Sequence, residues 1–524
     1  MTLADRGFST GGRLLTVGKN QDGIRCVHLW DPKTGKVIAR CSLGKKSAYN
    51  ITISPDGKTV ACSYHMAKEI CLFDVVSGKL ISRIAQPGHV RRARFAPDGR
   101  TLISLSAPGG LCLWEVKTGK ELWQLRLRLP EKSPWHLREK WETHHTFAFS
   151  PDGKVLAVAL QDGSIHLCDM KTGAEVRRLF REVSRADPSQ LTFSPDGHHL
   201  AAHAEENVKE RNSEKEEYSP FVIRLWDVRS AQLVRTFHQF RPPLSHRMIV
   251  RDPRAVERYY DKYRRDSGGL AFSPDGKTVA NFGSVTQLWE VATGRLRHEF
   301  DADTYAGCFS PDGRLIAANC IRVNLDASDK KDSGSSGATA DGVRLWDWRD
   351  PCLKQPTSLG TREIERLCSD LASADATVGY RAISVLLAHP RTAVAVLKER
   401  LRRVEPIAPG ELDRLIANLD NDAFAVRARA GERLAALGEL ARPALLRVKA
   451  QRPSLEIKRR IEDLLPRLSL AGSPERLRCL RAVEVLETIG TEETGRVLKK
   501  LASGAEGAVE TEDAKAALNR LDQK

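Results

Sequence analysis

Residues 238–268 concentrate the side chains best suited to chemistry at a surface. Arg241, Arg247, Arg251, Arg254, Arg258, Lys262, Arg264 and Arg265 are interleaved with Phe240, Tyr259, Tyr260 and Tyr263. A guanidinium makes paired, planar hydrogen bonds to carboxylates and phosphates, and tyrosine joins a large apolar face to a hydroxyl. Such residues anchor protein–protein interfaces. The same set can hold nucleic acid, with Arg on phosphates and Tyr stacked on bases. A third reading is a loop that only covers the surface beneath it. Trp135 and Trp141, beside Arg138 and Lys140, form a second segment of this kind, either a contact site or a packed cover. Protein contact ranks first, cover second and nucleic acid third.

Nothing comparable points to catalysis. The chain has no Gly-rich phosphate loop, no His-Glu-x-x-His, no Gly-x-Ser-x-Gly and no Cys/His metal spacing. His144-His145 would need a third metal ligand that the sequence does not nominate. We therefore expect no catalytic residue, no metal, no cofactor and no enzyme activity.

The elements that must position these loops are written as a repeat. Ser-Pro-Asp-Gly, or a variant of it, follows Phe or Ile at Phe8, Ile53, Phe95, Phe149, Phe193, Phe272 and Phe309. Between these fall Leu29-Trp30-Asp31, Leu72-Phe73-Asp74, Leu113-Trp114-Glu115, Leu167-Cys168-Asp169, Leu225-Trp226-Asp227, Leu288-Trp289-Glu290 and Leu345-Trp346-Asp347. Within a unit, alternating apolar residues make strands, and Pro, Asp and Gly make the turn between them. A four-stranded unit of this size cannot bury both faces alone and must stack on its neighbours. Seven units close a ring, so residues 1–360 are expected to form an all-β, seven-bladed β-propeller. Trp30, Phe73, Trp114, Trp226, Trp289 and Trp346 are its expected blade anchors. Blades two and four, with Phe73 and Cys168 in place of Trp, should be softer, blade four the more so. With the first strand of blade one opening the chain, closure should rest on side-chain packing between blades one and seven.

These motifs resemble the bacterial WD-repeat (WD40) propeller family over about residues 3–360. The resemblance implies protein binding by a scaffold. It also implies a hydrogen-bonded His tetrad, but the Gly-His that begins such a repeat occurs only as Gly88-His89.

Turn chemistry also sorts the two ends of the blades. The Ser-Pro-Asp-Gly and Asp-x-x-Thr-Gly turns share one end and stay short. Insertions at 124–145, 204–220, 238–268 and 322–341 all fall at the other. Loops carry function while a scaffold holds them, so the insertion-bearing end is the expected binding face. The Glu-rich 204–217 and Gly/Ser-rich 326–342 stretches read as solvated.

After Trp348 the pattern changes to Leu, Ala, Arg and Glu at helical spacing, punctuated by Pro and Gly. About ten helices, each about ten to seventeen residues long, in roughly five antiparallel pairs fit residues 361–524. Asn421–Arg427 with Leu434–Gly438, and Leu480–Leu486 with Ile489-Gly490-Thr491, resemble HEAT-like repeats. The segment Arg481-Ala482-Val483-Glu484-Val485-Leu486-Glu487, ending Ile489-Gly490, adds to a resemblance with large bacterial proteins that join the two domains.

Charge agrees with a binding role. The 524 residues carry a net +16. Residues 361–524 hold 29 Lys+Arg against 25 Asp+Glu, leaving 54 against 42 on residues 1–360. The excess suits an acidic partner or nucleic acid but is not gathered into one run. The eleven cysteines include no Cys-x-x-Cys pair and read as buried thiols of a reducing compartment. Cys62 and Cys71 should face each other across a hairpin. No signal peptide or membrane span is evident, so the expected location is the cytoplasm, with the caution that an upstream segment is not excluded.

Overall fold

A computed structural model of the chain shows seven antiparallel sheets in sequence order, six of four strands and one of three. It describes the chain outside residues 1, 21–22, 45–47, 65–66, 108–109, 127–145, 161–162, 180–189, 206–220, 239–268, 284, 301–303, 321–341, 350–358, 409, 452, 466, 469–472 and 523–524. In every sheet the strands pair in chain order. First strands of neighbouring sheets touch, and Thr2–Phe8 meets Thr304–Phe309 of the last sheet. The fold is a seven-bladed β-propeller followed by ten described α-helices. Packing divides it into two compact units: residues 1–289 with 299–348, and residues 290–298 with 349–524.

Local chemistry explains the repeated turns. In blade two, Ser54 Oγ donates to Asp56 Oδ1 at 2.6 Å and accepts the Thr59 amide at 2.9 Å. Gly57 closes the turn at φ +74°, a value a residue with a Cβ resists. The same Ser–Asp bond recurs at Ser150–Asp152 and Ser310–Asp312. The turns also interlock: Thr10 N donates to Pro55 O at 2.9 Å, and Pro55 Cδ lies 3.4 Å from where a Cβ on Gly99 would stand.

The Asp-x-x-Ser/Thr-Gly turns use carboxylates differently. Asp74 accepts the Ser77 amide and hydroxyl, both at 2.7 Å, and these bonds hold its carboxyl below the usual range. The Thr172 hydroxyl and amide do the same for Asp169, and the Ser150 hydroxyl for Asp152. A carboxyl with a depressed folded pKa adds stability above its unfolded value of about 4. That contribution is lost as pH falls through the folded value. On this account the melting temperature is expected to drop below about pH 4. A melting temperature that rises on acidification below about pH 4 would contradict this.

Each third-strand anchor packs towards the preceding blade. Phe73 lies with Leu15 and Val17, Trp114 with Leu72 and Ile84, and Trp226 with Ala157 and Leu167. Trp289 meets Phe237 edge-on at 6.1 Å, and Trp346 meets Phe300 at 5.8 Å. Trp30 packs with Phe8, Leu14, Cys308 and Ala317, so side chains of blades one and seven do close the ring. Trp30 and Trp346 are half-buried, whereas Trp348 is fully buried and donates from Nε1 to Gly313 O at 3.0 Å.

Blade four is repaired from next door. Trp123, from the outer strand of blade three, joins Cys168 and Met170 in one cluster. Its Nε1 donates to Met170 O at 2.8 Å, and its ring covers Gly173 at 3.1 Å from the place of a Cβ. The expectation that Cys168 leaves an open deficit omitted this ring. Trp123→Ala should cost about 2–3 kcal/mol in chemical denaturation, below the full range for a core Trp because the side chain is partly exposed. An unchanged midpoint would show that the ring packs without stabilising.

Cys62 and Cys71 are directly opposed in register, and both are buried free thiols. Burial, the first cause, pushes Cys62 up to about 12, which keeps it protonated and unreactive.

The helices run from Thr361–Asp370 to Val509–Asp522 and are 7 to 16 residues long, shorter at the low end than the repeat pattern suggests. Two apolar cores hold them. One gathers Leu386, Val394, Leu397, Val483, Leu486 and Leu498, the other Ile416, Leu434, Leu445, Ile461 and Leu464. No described helix is long and apolar enough to cross a membrane.

Candidate interaction rim

Strand ends fix where the inserted segments leave the propeller. They depart between Arg126 and Thr146, Glu205 and Phe221, His238 and Leu270, and Cys320 and Gly342. Antiparallel pairing puts all eight ends on the rim opposite the Ser-Pro-Asp-Gly turns. The link from Leu179 to Leu191 leaves from the same rim, an elaboration the repeat reading did not single out. The proposed contact residues Trp135, Trp141, Arg241, Arg247, Arg251, Arg254, Arg258, Tyr259, Tyr260, Tyr263, Arg264 and Arg265 lie outside the described residues.

Among the described residues, the inner strand of blade three carries a basic cluster. His89–Phe95 reads His-Val-Arg-Arg-Ala-Arg-Phe, and Arg91, Arg92 and Arg94 are half-buried. A register shift in its pairing with Thr101–Ala107 sets Arg91 in a bulge. Arg92 Nη1 donates to Thr146 Oγ1 of blade four at 3.1 Å, and its guanidinium stands 5.9 Å from the Phe147 ring centre. From blade two, the Asn50 amide donates to Arg91 O. All three arginines are engaged within the protein. Sequence reasoning passed over them because the repeat was read for its turns and anchors. Three arginines in one first strand were the available signal; Thr52, Ala148, Thr192 and Ala271 stand where Arg94 does.

Beneath this strand the polar groups form a chain. Trp114 Nε1 donates to Ser104 Oγ at 2.8 Å, and Ser104 Oγ donates to Gln86 Oε1 at 2.8 Å. Blade one keeps a shorter form, Trp30 Nε1 donating to Thr16 Oγ1 at 2.8 Å. His203 Nε2 and Asn281 Oδ1, 2.8 Å apart, tie blades five and six.

A second chain has the residue order of a hydrolytic triad. Ser164 Oγ is 3.0 Å from His166 Nε2, and His166 Nδ1 is 2.5 Å from Glu175 Oε2. Ser164 is buried, and Arg178 holds the Glu175 carboxylate through Nε and Nη2 at 3.0 and 2.9 Å. Arg178 foremost, with His166, keeps the Glu175 carboxyl below its usual range. This chain links the third and fourth strands of blade four. No group of three or more His, Cys, Asp or Glu among the described residues is placed to hold a metal.

Known proteins share the repeat. The profile of the anaphase-promoting complex subunit 4 WD40 domain family matches residues 127–185. The WD repeat-containing protein SL1-17 of Schistosoma mansoni is 24% identical over 34% of this chain and 49% of its own length. An uncharacterized WD repeat-containing protein, sll1491, of Synechocystis is 29% identical over 33% of this chain and 40% of that protein. The WD repeat and SOCS box-containing protein 1 of Takifugu rubripes is 25% identical, over 35% and 40%. The matches span half or less of the length of these curated relatives. Among solved structures, the Cps50 (Swd1) β-propeller domain of Myceliophteria thermophila aligns with TM-score 0.43 and 17% identity, covering 61% of this chain and 93% of that one.

Proposed function

We propose that this chain of WD40 repeats is a non-catalytic interaction scaffold that binds a protein partner through its insertion-bearing rim. The observation that carries the reading is the common origin of the inserted segments: every one leaves from one rim of a ring whose other rim keeps short turns. WD40 propellers generally bind proteins, and the relatives above are WD-repeat proteins. In this reading residues 1–360 are the binding domain, led by Arg and Tyr of 240–265, with Trp135 and Trp141 as further anchors. Residues 361–524 form a HEAT-like helical domain with a second surface. The setting is the cytoplasm of a bacterium.

The arginines of 241–265 and the excess of basic residues on 1–360 support a second reading, nucleic acid held by the same rim. Arg→Lys exchange across 241–265 separates the two. It keeps charge but removes planar bidentate contacts, so protein recognition should fall at least about tenfold while phosphate binding largely survives. Binding to a nucleic acid that weakens by about 10³-fold or more between 50 and 200 mM salt, and is indifferent to that exchange, would put the second reading first.

A further inference from the structure

Four charged side chains outside the rim are almost completely removed from water. Glu290, Arg297, Arg481 and Glu484 are each 2% exposed or less at the side chain. All belong to the second compact unit, which includes residues 290–298 as well as 349–524. Taking an ion out of water costs several kcal/mol, repaid only where geometry satisfies every donor and acceptor.

The geometry here is close to complete. Arg481 grips Glu290 side-on, Nε to Oε1 and Nη2 to Oε2, both at 2.8 Å. Its Nη1 donates to Leu371 O at 2.9 Å and Ser373 O at 2.6 Å. Arg297 grips Glu484 through Nη1 and Nη2 at 3.1 and 2.9 Å, and Nη2 also reaches Glu290 Oε1 at 2.9 Å. Thr293 Oγ1 donates to Glu290 Oε2 at 2.7 Å. Burial alone would push the Glu290 carboxyl up; Arg297 and then Arg481 reverse this and hold it at about 2.

Two further contacts tie residues 290–298 to the helices. Thr377 Oγ1 donates to Leu296 O at 3.3 Å, and His298 stacks on Tyr380 at 5.2 Å. A Cβ on Gly379 would stand 2.4 Å from the Arg481 guanidinium, so the absence of a side chain there makes room for the charge. Spacing of i, i+3 puts Arg481 and Glu484 on one face of helix Pro474–Ile489, while Ala482, Val483, Val485 and Leu486 fill the core. Glu487, in the same motif, pairs with Arg520 at 2.7 Å. The charged letters of that motif are thus ion-pair positions.

We propose that Glu290–His298 is an electrostatic clasp of the helical unit, so that this segment and helices Ala376–Ala388 and Pro474–Ile489 open and close as one element. Hydrogen exchange of the full-length protein tests this. Glu484→Gln leaves Arg297 with Glu290 alone, and Arg297→Met leaves Glu484 with only the longer contact to Arg349 at 3.9 Å, so either should speed exchange about 100-fold or more in peptides covering 290–298, 376–388 and 474–489 together. Peptides of blade two, residues 59–74, should keep their rates. The double variant Arg297→Met/Glu484→Leu replaces the pair with apolar groups and should regain most of the protection. Faster exchange confined to 290–298, or unchanged exchange in every segment, overturns the clasp. Should a single variant fail to fold, the double variant decides, and its failure also overturns the proposal.

Discussion

Trp114→Ala should lower the stability of the chain by about 3–5 kcal/mol, the range for removing a core Trp. The ring is 5% exposed and packs among Leu72, Ile84, Val90 and Phe95. Its Nε1 also ends the chain through Ser104 to Gln86, both buried, so truncation strands polar groups as well as opening a cavity. Trp114→Phe keeps most of the volume and loses the donor. The loss in urea midpoint for Trp114→Phe reports mainly the hydrogen-bond chain, and the further loss for Trp114→Ala reports the packed volume. Equal losses would mean that the hydrogen bond carries the effect and the packed volume adds nothing.

Gly438→Ala is expected to be the most damaging single-methyl change in the helical unit, at about 3 kcal/mol or more. Gly438 ends helix Phe424–Leu437 at φ +55° and ψ −127°, a region open to glycine alone. The Arg476 guanidinium occupies the place of its Cβ; the nearest atom is 1.5 Å away. Arg476 is committed there, donating to Leu468 O and Ala436 O and pairing with Glu510 at 3.2 Å. Gly495→Ala is the contrasting case. Gly495 lies within helix Glu492–Ala502 and has open space where a Cβ would go, so the change should stabilise by about 0.5–1 kcal/mol. Thermal melts of the two variants should move in opposite directions. A neutral Gly438→Ala would contradict the packing of Arg476.

What could be read from sequence follows the range of the forces involved. The Ser-Pro-Asp-Gly turns are legible because Ser, Asp and Gly interact within five residues, as Ser54, Asp56 and Thr59 do. Counting them gives the blade number, and the third-strand Trp gives the packing. Trp123 was not legible. Its value depends on Cys168 and Gly173 in the next blade, and its own position is an ordinary outer strand. The buried charges were further out of reach: Arg297 and Glu484 are 187 residues apart, and Glu290 and Arg481 are 191. Glu290 was visible only as a variant of the repeat's Asp, and Arg481 and Glu484 only as letters of a motif. The arginines of blade three stood in plain view, but their meaning needed the strand to be placed as the innermost one. The inserted segments have no repeat to align them, so composition and strand ends are what bear on their role.

The scaffold account is tested most directly by capture from native lysate with three proteins: the intact chain, one whose residues 240–265 are replaced by a short Gly/Ser turn, and one altered on the opposite rim at Lys33, Lys58 and Lys79. Nuclease-treated and untreated lysates are run in parallel. The account predicts a protein recovered by the intact chain and the opposite-rim variant, lost with the loop and unaffected by nuclease. A partner kept without the loop and lost with the opposite-rim change would contradict it.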